Sequence, residues 1–340
     1  MDSGRNPRVA IISDSSLQRL ALAHAVKGHG YELVMNVPPE RLDAKTLAQV
    51  VPDVWLVDMQ EEDDDLLDKL LSQEAPILFG VETAPVQGTR AYPRWERRVF
   101  IKLHEVIGQP VISENLDTLE KGTVKQIKAP VRLTLPAEIL QRKQSNKLEF
   151  VCVLAASLGG PAAVKEFLDY LPGGLPVAFL LAQHIDVRMQ ESLTRVLVRH
   201  NHIPCRMAGH GEALKHGELL IAPVESEIDF SADGQVISRD MPWDGPYSPS
   251  IDQVLANISR RFGKRSIAII FSGMGGDGSI SGPMMVDAGG IIWAQDSESC
   301  ACSSQPDSMR ATGCVTFSGK PLELAQKLVN YINTGLHTAA

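Results

Sequence analysis

Val151-Cys-Val-Leu-Ala-Ala-Ser157-Leu-Gly-Gly-Pro161 decides how the chain is read. An apolar run of strand character reaches a lone serine, breaks at Gly159 and Gly160, and passes at Pro161 into the helical pattern Ala162–Tyr170. A strand that turns sharply into a helix presents the side chain at the turn and aims backbone N–H groups at whatever binds there. The match to the G-x-S-x-G nucleophile elbow is partial, because Ala155 stands where the first glycine would be. A plain tight βα turn and a phosphate-binding turn fit the same residues, so the role of Ser157 depends on the rest of the chain.

At 340 residues the length suits two domains with separate cores. A content of 44% hydrophobic and 22% charged residues is that of a soluble globular protein. The net charge of −8 argues against non-specific nucleic-acid binding, which needs a basic surface. Met1–Pro7 is short and polar, so no signal peptide is expected, and the longest apolar runs fall short of a membrane span. A cytoplasmic protein with no membrane insertion follows as the expectation. The five cysteines, Cys152, Cys205, Cys300, Cys302 and Cys314, lack C-x-x-C spacing and are expected as reduced thiols, with no metal site among them.

The first third alternates strands and helices, which predicts a parallel α/β domain with functional groups at the carboxyl ends of its strands. Arg8–Ile12 suits a buried strand, Asp14-Ser-Ser an N-cap, and Leu17–Lys27 a helix. Tyr31–Val37 reads as a second strand, Asp43–Val50 as a helix, Asp53–Asp58 as a third strand and Ala75–Gly80 as a fourth. Arg98–Lys102 reads as a fifth before a turn at Leu103–Ile107.

This portion resembles a response-regulator receiver domain in eroded form. The resemblance implies Asp58 as the phosphoacceptor, Asp14 as one of the acidic pair with Ser13 in the other place, and Lys102 as the lysine after the fifth strand. The hydroxyl expected after the fourth strand is missing: Gly80 and Val81 stand there, with Thr83 further on. An aspartyl phosphate needs Mg²⁺, which clustered carboxylates hold, so Asp14 and Asp58 without a third carboxylate make a weak site. Glu61–Asp65 reads as a solvated loop or helix start. A degenerate receiver used for docking is expected, with phosphorylation at Asp58 the open alternative.

Residues 1–108 are thus assigned to the receiver-like domain, 109–147 to a linker and 148–335 to a second domain. Within the linker only Glu114–Lys121 and Ala137–Lys143 look helical. In the second domain Leu175–His184 is an apolar run that ends on a histidine, where α/β enzymes keep reacting groups. A capping or merely exposed histidine would read the same way. Gly217–Pro223 gives another strand. Ile228–Ser231 and Val236–Arg239 form a hairpin through Asp233-Gly234. Pro249-Ser-Ile-Asp252 caps a helix running to Arg261. Ser266–Ser272 is a strand leading into Gly273-Met-Gly-Gly-Asp-Gly278, followed by the helical stretch Ser279–Ala288, the strand Ile291–Gln295 and the closing helix Leu322–Tyr331.

Three strand ends therefore carry Ser157, His184 and Asp277. A serine hydroxyl attacks an ester only if a base takes its proton, an imidazole is that base, and a carboxylate fixes the imidazole's tautomer. At this point the region from Leu148 to Ile332 resembles the catalytic domain of the CheB family, the chemotaxis protein-glutamate methylesterases. The shared motifs are Ala-Ser157-x-Gly-Gly-Pro, Gln183-His184, Gly211-Glu…Gly217…Ile221-Ala-Pro223, Pro249-Ser250-x-Asp252, Ser272-Gly-Met-Gly-x-Asp277-Gly278 and Ala294-Gln295-x-x-x-x-Cys300.

The resemblance implies two doubly wound parallel-sheet domains, a flavodoxin-like receiver and a Rossmann-like methylesterase domain with a β-hairpin. It implies Ser157 as nucleophile, His184 as general base and acid, Asp277 as orienting carboxylate and the Met274 backbone N–H as oxyanion donor. No cofactor is called for. The implied activity is hydrolysis of glutamate γ-methyl esters on methyl-accepting chemoreceptors, with deamidation of receptor Gln as a related activity and a CheA-type histidine kinase as a further partner. Branches of the family serve pili and other outputs as well as flagella. Leu158 departs from the threonine usual after the serine. The alternative is a regulatory docking protein of the chemosensory array with weak or no esterase activity, and a nucleotide-binding α/β protein is a third reading that lacks a fingerprint.

Overall fold

The computed structural model describes residues 5–338 except 44–45, 48–49, 60–65, 67–68, 71–72, 74, 80, 90, 109, 111–131, 137–138, 140–147, 186 and 199–201. Two compact units make up the chain, one built on Met1–Ile112 and the other on Ser113–Gly273 and Asp277–Ala340. The acidic run 61–65, the helical patch at 114–121 and nearly all of that at 137–143 lie outside the described residues.

In the second unit, strand β5 (Phe150–Ala156) is buried from Val151 onward because helices cover both of its faces. Its side chains alternate between two cores: Cys152, Leu154 and Ala156 enter one, and Val151, Val153 and Ala155 the other. Strand β6 (Val177–Gln183) alternates in the same way, Phe179 and Leu181 against Ala178 and Leu180. The first core is closed by Phe167 and Leu168 of one helix, Gly160–Tyr170, and by Leu324 and Leu328 of another, Pro321–Thr338. The second is closed by Val254, Leu255 and Ile258 of helix Ile251–Phe262.

Among the described residues the strands of this sheet are ordered β13-β12-β11-β5-β6-β8-β7 and pair in parallel. Here β7 is Cys205–Met207, β8 Leu219–Ile221, β11 Ser266–Ile270, β12 Ile291–Gln295 and β13 Val315–Gly319. The chain winds from β5 outward through β6 to one edge, then returns beside β5 at β11 and winds to the other. The reversal lies between β5 and β11, and the crevice beyond the carboxyl ends at such a reversal is where doubly wound sheets bind ligands. Strands β9 (Ile228–Phe230) and β10 (Val236–Ser238) form the expected hairpin, with Gly234 at φ +84° in its turn.

The first unit holds a parallel sheet of order β2-β1-β3-β4, from Glu32–Val37, Arg8–Ser13, Val54–Asp58 and Ile77–Leu78. Helix α1 (Ser16–Gly28) begins as expected, with the Ser15 hydroxyl accepting the Gln18 N–H. The expected fifth strand is not formed. Arg98–Lys102 lies inside helix α2 (Tyr92–Ile107), and Lys102 is therefore not at a strand end. The buried residues Tyr92, Trp95, Glu96, Val99, Phe100 and Leu103 recur at three- and four-residue spacing, a helical stripe of which Val99-Phe100 is one short slice.

Candidate active site

The register of the sheet places the candidate nucleophile beside the candidate base. Ala156 pairs with Gln183 across β5 and β6, so Ser157 and His184 are the next residues on two adjacent strands, and the His184 N–H donates to the Ala156 carbonyl at 3.0 Å. The turn after Ser157 is tight. Its carbonyl accepts the Gly160 N–H at 2.9 Å, opening helix α3 (Gly160–Tyr170), and Gly159 adopts φ +78°. A Cβ on Gly159 would lie 2.5 Å from Ala301 Cβ and 2.6 Å from Ser272 Oγ, so the turn needs glycine for both its dihedral and its space. The Leu158 carbonyl is held by the Ser272 hydroxyl at 2.8 Å, a bond that needs no threonine side chain.

Gln183 ties the two turns together. Its Nε2 donates to the Ser157 carbonyl at 2.8 Å and to the His184 carbonyl at 3.0 Å. The loop after β11 runs against the serine from the other side: the Ser157 N–H donates to the Ser272 carbonyl at 3.1 Å, and a Cβ on Gly273 would lie 3.0 Å from Ser157 Cβ. Met274 is the next residue in the chain.

His184 Nε2–H donates to Asp277 Oδ2 at 3.0 Å with both side chains buried. That contact leaves Nδ1 as the basic nitrogen of the neutral ring. His184 Nδ1 and Ser157 Oγ are both buried, and neither has a hydrogen-bond partner among the described residues. Buried polar atoms are ordinarily paired, and two such orphans on neighbouring turns mark a place where a reacting group would sit. On its outer face the imidazole is covered by the Tyr247 ring, with centroids 4.8 Å apart and planes 5° from parallel.

Asp277 is fixed by more than the histidine. Its carboxylate accepts the N–H groups of Ile251 at 2.6 Å, Asp252 at 3.1 Å and Gly278 at 3.1 Å. The first two are the opening N–H groups of helix α4 (Ile251–Phe262), whose positive end compensates the carboxylate charge. Asp252 returns the contact, its Oδ1 accepting the N–H groups of Ile280 at 3.1 Å and Ser281 at 2.7 Å. The sequence places Asp252 in a motif that caps the helix and does not single out Tyr247 at all. His216 is half-buried, and its Nε2 accepts the Glu149 N–H at 3.0 Å.

In the first unit Asp58 closes β3 beside Ser13, and burial followed by the nearby Asp14 carboxylate raises its carboxyl above the ordinary value, with a hydrogen bond from Gln18 opposing. Gln18 is itself buried and reaches the 82–84 segment, its Oε1 accepting the Ala84 N–H at 2.8 Å and its Nε2 donating to the Glu82 carbonyl at 3.2 Å. The donor set does not fit a firmly held Mg²⁺. Asp14 and Asp58 are two carboxylates, Ser13 occupies the third place, and no group of three metal-ligating side chains forms among the described residues.

Separate turns at one edge of the parallel sheet thus carry a serine, an imidazole and a carboxylate, with the imidazole bonded to the carboxylate and the serine hydroxyl without a hydrogen-bond partner among the described residues. The family model described as CheB methylesterase matches residues 152–328, and the chain belongs to that family. A protein-glutamate methylesterase/protein-glutamine glutaminase of Anaeromyxobacter dehalogenans, numbered 3, is 33% identical over 183 residues, a span that covers 54% of each chain. Number 6 of the same organism is 28% identical over 324 residues, covering 92% of this chain and 91% of its own. A protein of that name from Photorhabdus laumondii is 25% identical over 344 residues, covering 96% and 97%. The match thus spans about half the length of some relatives and nearly all of others. The crystal structure of the Thermotoga maritima CheB methylesterase catalytic domain superposes with a TM-score of 0.51 at 25% identity, covering 54% of this chain and 98% of that domain. Among the described residues no helix is long and apolar enough to cross a membrane.

Proposed function

We propose that the protein is a cytoplasmic serine esterase that hydrolyses glutamate γ-methyl esters on methyl-accepting chemoreceptors. Deamidation of receptor glutamine is proposed as a second reaction of the same site. The carrying observation is the His184 Nε2–H···Asp277 hydrogen bond at 3.0 Å, which turns the unpartnered Nδ1 into the proton acceptor beside Ser157. The reading as a docking protein without activity is not favoured, because the relatives that match nearly the full chain carry an enzyme's name.

In the proposed sequence Ser157 Oγ attacks the γ-carbonyl carbon while its proton passes to His184 Nδ1. Asp277 holds the imidazolium that results. The oxygen that takes up negative charge is assigned to the backbone N–H of Met274. Collapse of the tetrahedral species breaks the bond to methoxide, which takes the proton from His184 and leaves as methanol. Water, deprotonated by the same Nδ1, then attacks the acyl-enzyme, and the proton returns to Ser157 Oγ as glutamate is released. With a γ-carboxamide the leaving group is ammonia and the other steps are unchanged.

For the first unit, a docking role without a phosphoryl switch is proposed. The missing carboxylate, the placement of Lys102 inside a helix and the Gln18 bonds across the 82–84 segment all support it.

Methanol release from methylated receptor by the wild type and by Ser157→Ala tests the esterase reading. Loss of a triad nucleophile costs about 10⁴-fold or more, so a mutant as active as the wild type would overturn it.

A further inference from the structure

The structure assigns a positioning role to Tyr247, whose ring lies flat on the His184 imidazole and fixes the direction in which Nδ1 points. The centroid separation of 4.8 Å and the 5° angle describe a parallel stack rather than an edge contact. The imidazole is tethered at Cβ and bonded through Nε2–H to Asp277, and a ring held at those two ends can still turn about the axis that joins them. A planar neighbour against its face removes that freedom. The placement matters because Nδ1 has to meet Ser157 Oγ, and neither atom has another hydrogen-bond partner among the described residues to hold it in place. Small misplacements of reacting groups cost rate steeply. The stacked ring also favours the imidazolium that forms once the serine proton has moved, since an aromatic face attracts a cation.

The segment that carries Tyr247 is built to hold it. The Trp243 indole N–H donates to the Pro223 carbonyl at 2.8 Å, and the Asp244 N–H donates to Gln253 Oε1 at 3.0 Å. Beyond Tyr247, the Ser250 hydroxyl caps helix α4 by accepting the Gln253 N–H at 3.4 Å. Tyr247 is itself 4% exposed. Because that helix begins at the N–H groups bound by Asp277, the support for the ring and the support for the carboxylate are one piece of chain. Tyr247 has no covalent part in the reaction. It acts through His184.

The kinetic arm of the test rests on the esterase reading, and a spectroscopic arm does not. Methanol release is measured for the full chain as wild type, Tyr247→Phe, Tyr247→Trp and Tyr247→Leu, with Ser157→Ala as the control for the reading itself. Tyr247→Leu is expected to lower kcat on the order of 10- to 100-fold with KM changed by less than about 2-fold. The two aromatic variants should stay within about 5-fold of wild type. In parallel, the His184 Nε2–H resonance is followed by ¹⁵N-edited NMR. It should be sharp and slow to exchange in the wild type and aromatic variants, and broadened or lost in Tyr247→Leu. Tyr247→Met replaces Tyr247→Leu if the latter melts early.

Several outcomes would overturn the assignment. One is wild-type kcat in the aliphatic variant, and another is a rise confined to KM, which would make Tyr247 a substrate contact. A Phe variant as impaired as Leu would point to the hydroxyl, and an unaltered His184 resonance in the Leu variant would remove the physical basis. Inactive wild type would sink the esterase reading, and the NMR comparison would still decide the role of Tyr247.

Discussion

The side-chain amide of Gln183 donates to the main-chain carbonyl of Ser157 at 2.8 Å, across the gap between two neighbouring strands. Because the same nitrogen also donates to the His184 carbonyl, one buried amide sets the spacing of the turns that carry nucleophile and base. Both carbonyls belong to buried residues, so the bonds are structural as well as geometric.

Replacing Gln183 with Leu is expected to leave both carbonyls without this donor, costing about 1–3 kcal/mol of stability. The loss of register should lower kcat on the order of 10-fold while the serine and histidine are chemically intact. Urea unfolding and methanol release from the same preparation check the two effects. A variant that is destabilised but fully active would show that the turns keep their spacing without the amide.

The exchange of contacts between Asp252 and Asp277 makes a second expectation. Asp252→Ala removes the acceptor for the Ile280 and Ser281 N–H groups and frees the loop that carries Asp277. The expected cost is about 2–4 kcal/mol, with Asp252→Asn intermediate because it keeps one acceptor oxygen. Hydrogen exchange at residues 277–281 should rise in the order wild type, Asn, Ala, with kcat falling in the same order.

Glu96 gives the first unit a pH dependence. Burial pushes its carboxyl up from 4.5 to about 7. The folded state therefore holds this proton more tightly than the unfolded chain does. The group leaves stability intact below about pH 4.5, and it erodes stability progressively as pH rises through about 7, by roughly 3 kcal/mol in all. Glu96→Gln should be more stable than wild type at pH 8, and the difference should shrink on acidification toward pH 5. Urea unfolding of both proteins across that range checks it. A gap independent of pH would locate the effect elsewhere.

Asp58 is expected not to switch the esterase. Incubation with a CheA-type kinase and ATP, or with acetyl phosphate and Mg²⁺, should leave the intact mass unchanged, and Asp58→Ala should match wild type in methanol release. A phosphoryl mass adduct that disappears in Asp58→Ala would restore the switch.

Where side chains repeat with the period of the element, the sequence was a sufficient guide. The run 151–156 reads as a buried strand because alternate residues fill two different cores, whereas Ser157 and His184 stood out only with the family motifs around them. Helix α2 was misread because three apolar residues in a row match a strand as well as they match one turn of a helix, and the deciding residues, Tyr92, Trp95 and Leu103, lie outside the window. The short edge strands β7 and β13 are only partly buried along most of their length, so no apolar run marks them. The Tyr247 stack leaves no trace in spacing at all. It depends on a segment bringing an aromatic ring back over a histidine more than sixty positions earlier, a relation that only the fold creates.

The triple use of the Asp277 carboxylate bears on how this family would decay. Ser157 Oγ has no hydrogen-bond partner among the described residues, so a lineage released from selection for hydrolysis could exchange that residue at little structural cost, whereas His184 is tied to Asp277 and Tyr247. Asp277 also starts a helix, through the N–H groups of Ile251 and Asp252. Selection for folding alone would keep it. An aspartate at this position in a relative therefore reports an intact scaffold, and the serine is the residue whose loss would date the end of catalysis.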